Sequence, residues 1–144
     1  MLELDPAPPI CLAPDTPVRE ACRLLERKRI ASILVCEEDT LVGIFTQRDV
    51  LYQSAAGALD LDEPLSTAMT AEPQTLTVDS QLSEALATMI ERGFRQMPLV
   101  DGSGRPLGVL TSRIILRFVA AHYPEAVLNL PPHLHQVMTT PEGG

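Results

Sequence analysis

The stretch Gly43-Ile44-Phe45-Thr46-Gln47-Arg48-Asp49 sets a threonine at the end of an apolar run and an aspartate three residues later. At a helix start this spacing serves two kinds of chemistry. The first is local: a Thr cap and a first-turn acid satisfy orphan amides and complement the helix dipole. The second is ligand binding. Open amides, the Thr46 hydroxyl and the dipole suit an anion, while the Asp49 carboxylate can accept both vicinal hydroxyls of a ribose. Asp49 on the phosphate itself would be repelled, so the pair matches a nucleoside phosphate with its sugar on Asp49 and Arg48 as a further phosphate partner.

A repeat reveals the elements that must position these groups. Pro9, Leu12, Asp15, Val18, Glu20 and Ala21 recur 64 positions later as Pro73, Leu76, Asp79, Leu82, Glu84 and Ala85. Gly43, Thr46 and Arg48 recur 65 positions later as Gly108, Thr111 and Arg113. The extra residue falls in the turn Asp101-Gly102-Ser103-Gly104, opposite Glu37-Glu38-Asp39, where an insertion disturbs no packed element. Two copies are too few for a solenoid and imply a closed pseudo-symmetric pair.

Each copy reads as strand, helix, strand, strand, helix. In the second, Asp79 and Ser80 are helix caps, and Leu82, Ala85, Leu86, Met89 and Ile90 follow at helical spacing until Gly93. Met97 to Val100 and Pro106 to Leu110 form a hairpin, and Ser112 to His122 a further helix. In the first copy Asp15 and Thr16 cap, Pro17 takes the first helical position, and Val18, Ala21, Cys22 and Leu25 make the buried stripe. Ile33 to Val35 and Leu41 to Phe45 are its strands. Gln53 to Glu63 reads as a linker, and the Pro-rich segment after Tyr123 as a tail that suggests a continuing natural protein.

Composition narrows the function. A copy of roughly 60 residues is too small for a comfortable core of its own. A 45% hydrophobic share with 3% aromatic residues implies an aliphatic interior. The net charge of −8 disfavours nucleic acid, which demands a clustered basic footprint. Cys11, Cys22 and Cys36 have no zinc spacing and read as small buried hydrophobes in a reducing compartment. The apolar run Ile30 to Cys36 is too short for a membrane span, and no signal peptide is visible, which points to a cytoplasmic protein with no membrane partner. His133 and His135 lack nearby acids or cysteines, so no metal is expected. No nucleophile triad or phosphate-binding Gly-Lys loop is present, which argues against an enzyme.

The repeat, the opening Met69-Thr70-Ala71-Glu72-Pro73, the strand Met97-Pro98-Leu99-Val100-Asp101 and the closing Gly-x-x-Thr-x-x-Asp together resemble tandem cystathionine-β-synthase (CBS) domains, the pair called a Bateman module. The likeness covers about residues 8 to 121. It implies an α/β (α+β) fold of two pseudo-symmetric repeats, 1–62 and 63–122, each a small mixed sheet packed with two helices, with 123–144 as tail. It also implies a non-catalytic regulatory module that needs no cofactor, binds AMP, ADP or ATP between the repeats, forms a homodimer and controls an effector. A ligand-free dimerisation scaffold and a sensor of S-adenosylmethionine are the alternatives.

Carried over residue by residue, the resemblance builds one nucleotide site from Thr46, Arg48, Asp49, Thr75, Phe94, Arg95, Met97 and Pro98. Phe94 and Met97 flank the base, and Arg95 reaches a phosphate. A weaker second site takes Ala31, Ile33, Thr111 and Arg113, with Ile114 where the acid belongs. One ribose site per chain is the expectation.

Overall fold

A computed structural model describes residues 4–122 of the chain. The elements run β1 (Cys11–Leu12), α1 (Val18–Lys28), β2 (Ser32–Glu37), β3 (Thr40–Thr46), α2 (Gln47–Ala55), β4 (Thr70–Ala71), α3 (Leu82–Arg92), β5 (Gln96–Val100), β6 (Pro106–Thr111) and α4 (Ser112–His122). A 3₁₀ turn spans Leu65–Thr67. The repeat seen in the sequence is therefore a repeat of structure, α+β in each half.

The halves interlock. The first sheet has the order β1-β2-β3-β4, with β1 parallel to β2 and the other pairs antiparallel. Its last strand, β4, belongs to the second repeat. In return, Ala7 of the first repeat bridges Val109 on β6, exchanging backbone hydrogen bonds of 3.0 and 2.9 Å. The parallel bridge Leu76 to Leu99 repeats the β1–β2 pairing on the β5 side. Each repeat thus lends its opening segment to the sheet of the other.

The cores follow the same exchange. Val18, Ala21, Leu25, Ile33, Val35 and Phe45 of the first repeat enclose Leu65 and Ala68 from the start of the second. Leu76, Ala85, Met89, Met97, Leu99, Leu110, Ile114 and Ile115 enclose Leu4. Between the sheets, Leu34 and Ile44 meet Val109. Neither half has a complete interior without the other, consistent with the poor burial available to so short a segment.

Two equivalent glycines permit the crossings. A Cβ on Gly43 would collide with the Met69 thioether, and one on Gly108 would lie 2.9 Å from both the Ala7 carbonyl oxygen and Pro6 Cβ. The obstacle at Gly43 is a flexible side chain; at Gly108 it is backbone.

Several local expectations are corrected. Asp15 and Thr16 do not cap α1, and Pro17 is its extended N-cap rather than its first helical residue. The α1 amides are met instead by the supposed linker: Val18 donates to the Glu63 carbonyl at 2.9 Å and Arg19 to Leu61 at 3.0 Å. The segment from Gln53 to Glu63 is therefore packed structure, beginning inside α2 and placing Leu59 and Leu61 against the first core. Asp79 and Ser80 likewise give way to Gln81 as the α3 N-cap, whose amide donates to Glu84 at 3.2 Å. Ile90 is 81% exposed, because it lies about 100° round the helix from Met89.

The cysteines are not uniformly buried: Cys11 is exposed, while Cys22 and Cys36 are half-buried. Burial, aided by a hydrogen bond with the Cys11 thiol, pushes the Cys36 thiol up to about 12, so it stays protonated at neutral pH. The pair His133 and His135 and the tail lie outside the described residues.

Gly108→Ala is expected to destabilise the fold by about 1–3 kcal/mol through overpacking, and Gly43→Ala by less. Urea denaturation of the two variants checks the order; an equal or reversed ranking contradicts the crossing geometry.

Candidate functional site

Thr46 ends β3 with extended backbone and caps α2. Its hydroxyl accepts from the Asp49 amide at 3.1 Å, while Asp49 Oδ2 accepts from the Thr46 amide at 2.9 Å and from the Thr46 hydroxyl at 3.1 Å. This is a closed capping box. The other carboxylate oxygen, Oδ1, accepts from the Thr70 hydroxyl at 3.4 Å. The long bond to Thr70 comes from β4, so the second repeat reaches the acid of the first.

The amides at this helix start are less open than the sequence suggests. Gln47 N donates to the Ala31 carbonyl at 3.0 Å, continuing the β2–β3 ladder by one rung, and Asp49 N is held by Thr46. The second half-site repeats the arrangement: Ser112 N donates to Arg95 O at 2.9 Å and Ile114 N to the Thr111 hydroxyl at 3.1 Å. Here no acid closes the box. Ile114 is 9% exposed and belongs to the second core.

The two half-sites share one cleft of about 850 Å³ between the repeats, near the top of the range for small-molecule sites. Thr46, Arg48 and Asp49 line it from the first repeat, and Phe94, Arg95 and Pro98 from the second. Ala31, Thr111 and Arg113 line it as well. Three expected residues do not. Met97 is 1% exposed within the second core, and Ile33 is fully buried in the first. On β5 the cleft is faced by Gln96 and Pro98, and side chains alternate along a strand, so Met97 must point away. Thr75 is exposed outside the cleft, where its neighbours Pro73 and Gln74 form the wall instead.

Sequence reasoning passed over Thr70, Glu72, Gln96 and Arg92, all of which line the cleft. Strand alternation about Pro98 was a sufficient signal for Gln96. Thr70 and Glu72 lie in the Met-Thr opening of the second repeat, but only the strand exchange brings them beside Asp49. Arg92 left no signal, being an ordinary basic residue in the last turn of α3.

Charge is concentrated here against the trend of the chain. Arg48, Arg92, Arg95 and Arg113, four of the 11 basic residues, line the cleft together with Asp49 and Glu72. The region is cationic in a protein of net charge −8. Arg48 also crosses between the repeats, donating from Nη1 to the Gly93 carbonyl at 3.4 Å. Gly93 takes the left-handed conformation at the end of α3, with φ of 72°, where a side chain would be strained.

Two interlocked repeats closing on one cleft define a tandem α+β module. The family model of the CBS domain matches residues 4–55 and 65–121, and the chain belongs to the CBS-domain family. An uncharacterised 17.7 kDa protein of Acidianus ambivalens is 30% identical over 105 residues, covering 72% of this chain and 63% of the relative. The chain thus spans less than two thirds of the length of that relative. The crystal structure of CBSX2 in complex with AMP is similar with a TM-score of 0.71 and 26% identity, over 81% of this chain and 92% of that one. The CBS domain pair of MJ0100 in complex with 5'-methylthioadenosine and S-adenosyl-L-methionine is similar with a TM-score of 0.69 and 26% identity, over 77% and 91%. Among the described residues no helix is long and apolar enough to cross a membrane, and no cluster of three or more His, Cys, Asp or Glu is placed to hold a metal.

Thr46→Ala opens the capping box and is expected to lower stability by about 1 kcal/mol. Urea unfolding should show a lower midpoint at unchanged slope; an unaltered midpoint means the box contributes nothing.

Proposed function

We propose that this chain is a regulatory module that binds an adenine nucleotide in the cleft between its repeats and controls an attached or partner effector. The observation that carries this reading is that Asp49 lines the same cleft as four arginines, with Glu72 as the one other acid among the described residues of that lining. A carboxylate there suits two sugar hydroxyls, and the guanidinium groups suit phosphate. Bound ribose replaces the weak Thr70 bond on Oδ1 and competes for Oδ2, while the capping box holds the carboxylate in position beforehand. AMP in CBSX2 and adenosine compounds in MJ0100 support adenosine as the common element.

The four arginines against two acids in the lining favour an anionic phosphate over S-adenosylmethionine, whose sulfonium and ammonium outweigh its single carboxylate. A ligand-free scaffold leaves that excess charge without purpose. Regulation requires that the nucleotide bind two states of the repeat pair unequally, by a coupling of about 1–3 kcal/mol. The proposal includes a cytoplasmic homodimer. Leu116 on α4 is 65% exposed and lies outside the cleft lining, which supports a partner for this helix.

Asp49→Ala is expected to weaken adenylate binding at least tenfold, because each charge-assisted hydrogen bond lost is worth about 1.5–3 kcal/mol. Calorimetry with AMP, ADP and ATP on wild type and variant tests this; undiminished binding by a folded variant refutes the assignment. Leu116→Asp should shift sedimentation from dimer to monomer, and a monomeric wild type removes the dimer from the proposal.

A further inference from the structure

The register of the first sheet brings Cys11 and Cys36 together on one face, away from the nucleotide cleft. Cys11 of β1 pairs in parallel with Leu34 of β2, and Leu12 with Val35. Paired residues of neighbouring strands point the same way, and successive residues point opposite ways. Leu12 and Val35 accordingly pack in the first core, which sends Cys11 to the other face with Leu34. Cys36, two residues beyond Leu34, lies on that face too, packed against Leu34, Ile44 and Val109. The ladder to β3 is bulged between Val35 and Cys36, a feature that re-aims side chains.

The two cysteines are thus diagonal neighbours on adjacent strands, and their thiols interact: burial, then the hydrogen bond and charge of Cys11, raise the Cys36 thiol. β1 is the edge of its sheet, so Cys11 meets solvent with the half-buried Cys36 behind it. Cys22 packs against the first core, on the opposite side of the sheet.

We propose that Cys11 and Cys36 form a redox-active dithiol that a hydroperoxide oxidises to a disulfide within the chain. The exposed Cys11 thiolate attacks the hydroxyl oxygen of the peroxide; an S–O bond forms, the O–O bond breaks, and the other oxygen leaves and takes up a proton as alcohol or water. The Cys36 sulfur then attacks the Cys11 sulfenic sulfur; an S–S bond forms, the S–O bond breaks, and the hydroxide departs as water with the Cys36 thiol proton. Two electrons pass from the sulfurs to the peroxide oxygens. Diagonal neighbours on adjacent strands stand about 7–8 Å apart, beyond the roughly 4.4–6.8 Å between the Cα atoms of a disulfide. Closure therefore draws the edge strand towards Cys36, and a bridge closed against that pull is readily reopened by a thiol reductant. β1 continues from the segment that carries Leu4 into the second core and Ala7 to Val109, so the site sits at the root of the strand exchange.

The test is hydrogen peroxide on the reduced full chain at low protein concentration, then alkylation in urea, intact mass and peptide mapping. Wild type is expected to lose two hydrogens, to keep Cys22 as its alkylatable thiol and to yield a peptide linked through Cys11 and Cys36. Dithiothreitol should restore all three thiols, and Cys22→Ser should form the same bridge. Cys36→Ser should stop at a Cys11 sulfenic acid that dimedone captures; Cys36→Ala gives the same readout should the serine disturb packing. A bridge between chains, a bridge through Cys22, Cys36 still alkylatable after oxidation, or no dimedone adduct in a folded Cys36 variant overturns the proposal.

Discussion

The exchange of opening segments between the repeats is the constraint on which everything else in this molecule rests. β4 of the second repeat completes the first sheet, and Ala7 of the first repeat extends β6. Each loan also fills a core, with Leu65 and Ala68 passing one way and Leu4 the other. The repeats are therefore fixed face to face, and the cleft is the space that this orientation leaves. The interlock also explains why Gly43 and Gly108 recur in register: a foreign backbone passes over each, and at Gly108 it lies too close for a methyl group.

Within that frame the capping role of Asp49 does not conflict with the ligand role proposed for it. Asp49 closes the capping box with Thr46 and so helps start α2. The same hydrogen bonds hold the carboxylate in one place at the edge of the cleft, which lowers the ordering cost when a ligand arrives. The contact from Thr70 is longer than the capping bonds, so the oxygen that faces the second repeat is the easier one to reclaim. In the second half the equivalent helix starts without an acid, and the position is given to packing.

Much of this was legible in the sequence. The 64-residue displacement gave the element order, because equivalent turns and apolar stripes must fold alike. Thr46 and Asp49 were legible because capping chemistry is local. What failed was whatever depends on contacts distant in the chain. Asp15 and Thr16 are good cap residues by type, yet the α1 amides are taken by Leu61 and Glu63, more than forty residues away. Met97 was placed on the cleft by carry-over, although the alternation of β5 assigns that face to Gln96 and Pro98. The linker reading failed for the same reason, since polar, alanine-rich composition does not disclose that two leucines close a core. Part of the cleft's charge was hidden too: Arg48, Arg95 and Arg113 were legible, but Arg92 in the last turn of α3 joins them only once the repeats meet.

The inserted turn has a mechanical consequence. Asp101, held below the usual carboxylate range chiefly by the Ser103 hydroxyl and further by the Ser103 and Arg105 amides, organises that turn. From it the Gly104 carbonyl accepts the Leu41 amide at 3.0 Å, and Arg105 pairs with Asp39 at 3.6 Å. The two hairpin tips are thus tied together, while Thr46 and Thr111 stand at the opposite ends of β3 and β6. Seven and six residues of strand make a lever arm of roughly 20 Å. With the tips as fulcrum, a tilt of about 3° between the repeats displaces the far ends by about 1 Å, enough to make or break a hydrogen bond at Asp49.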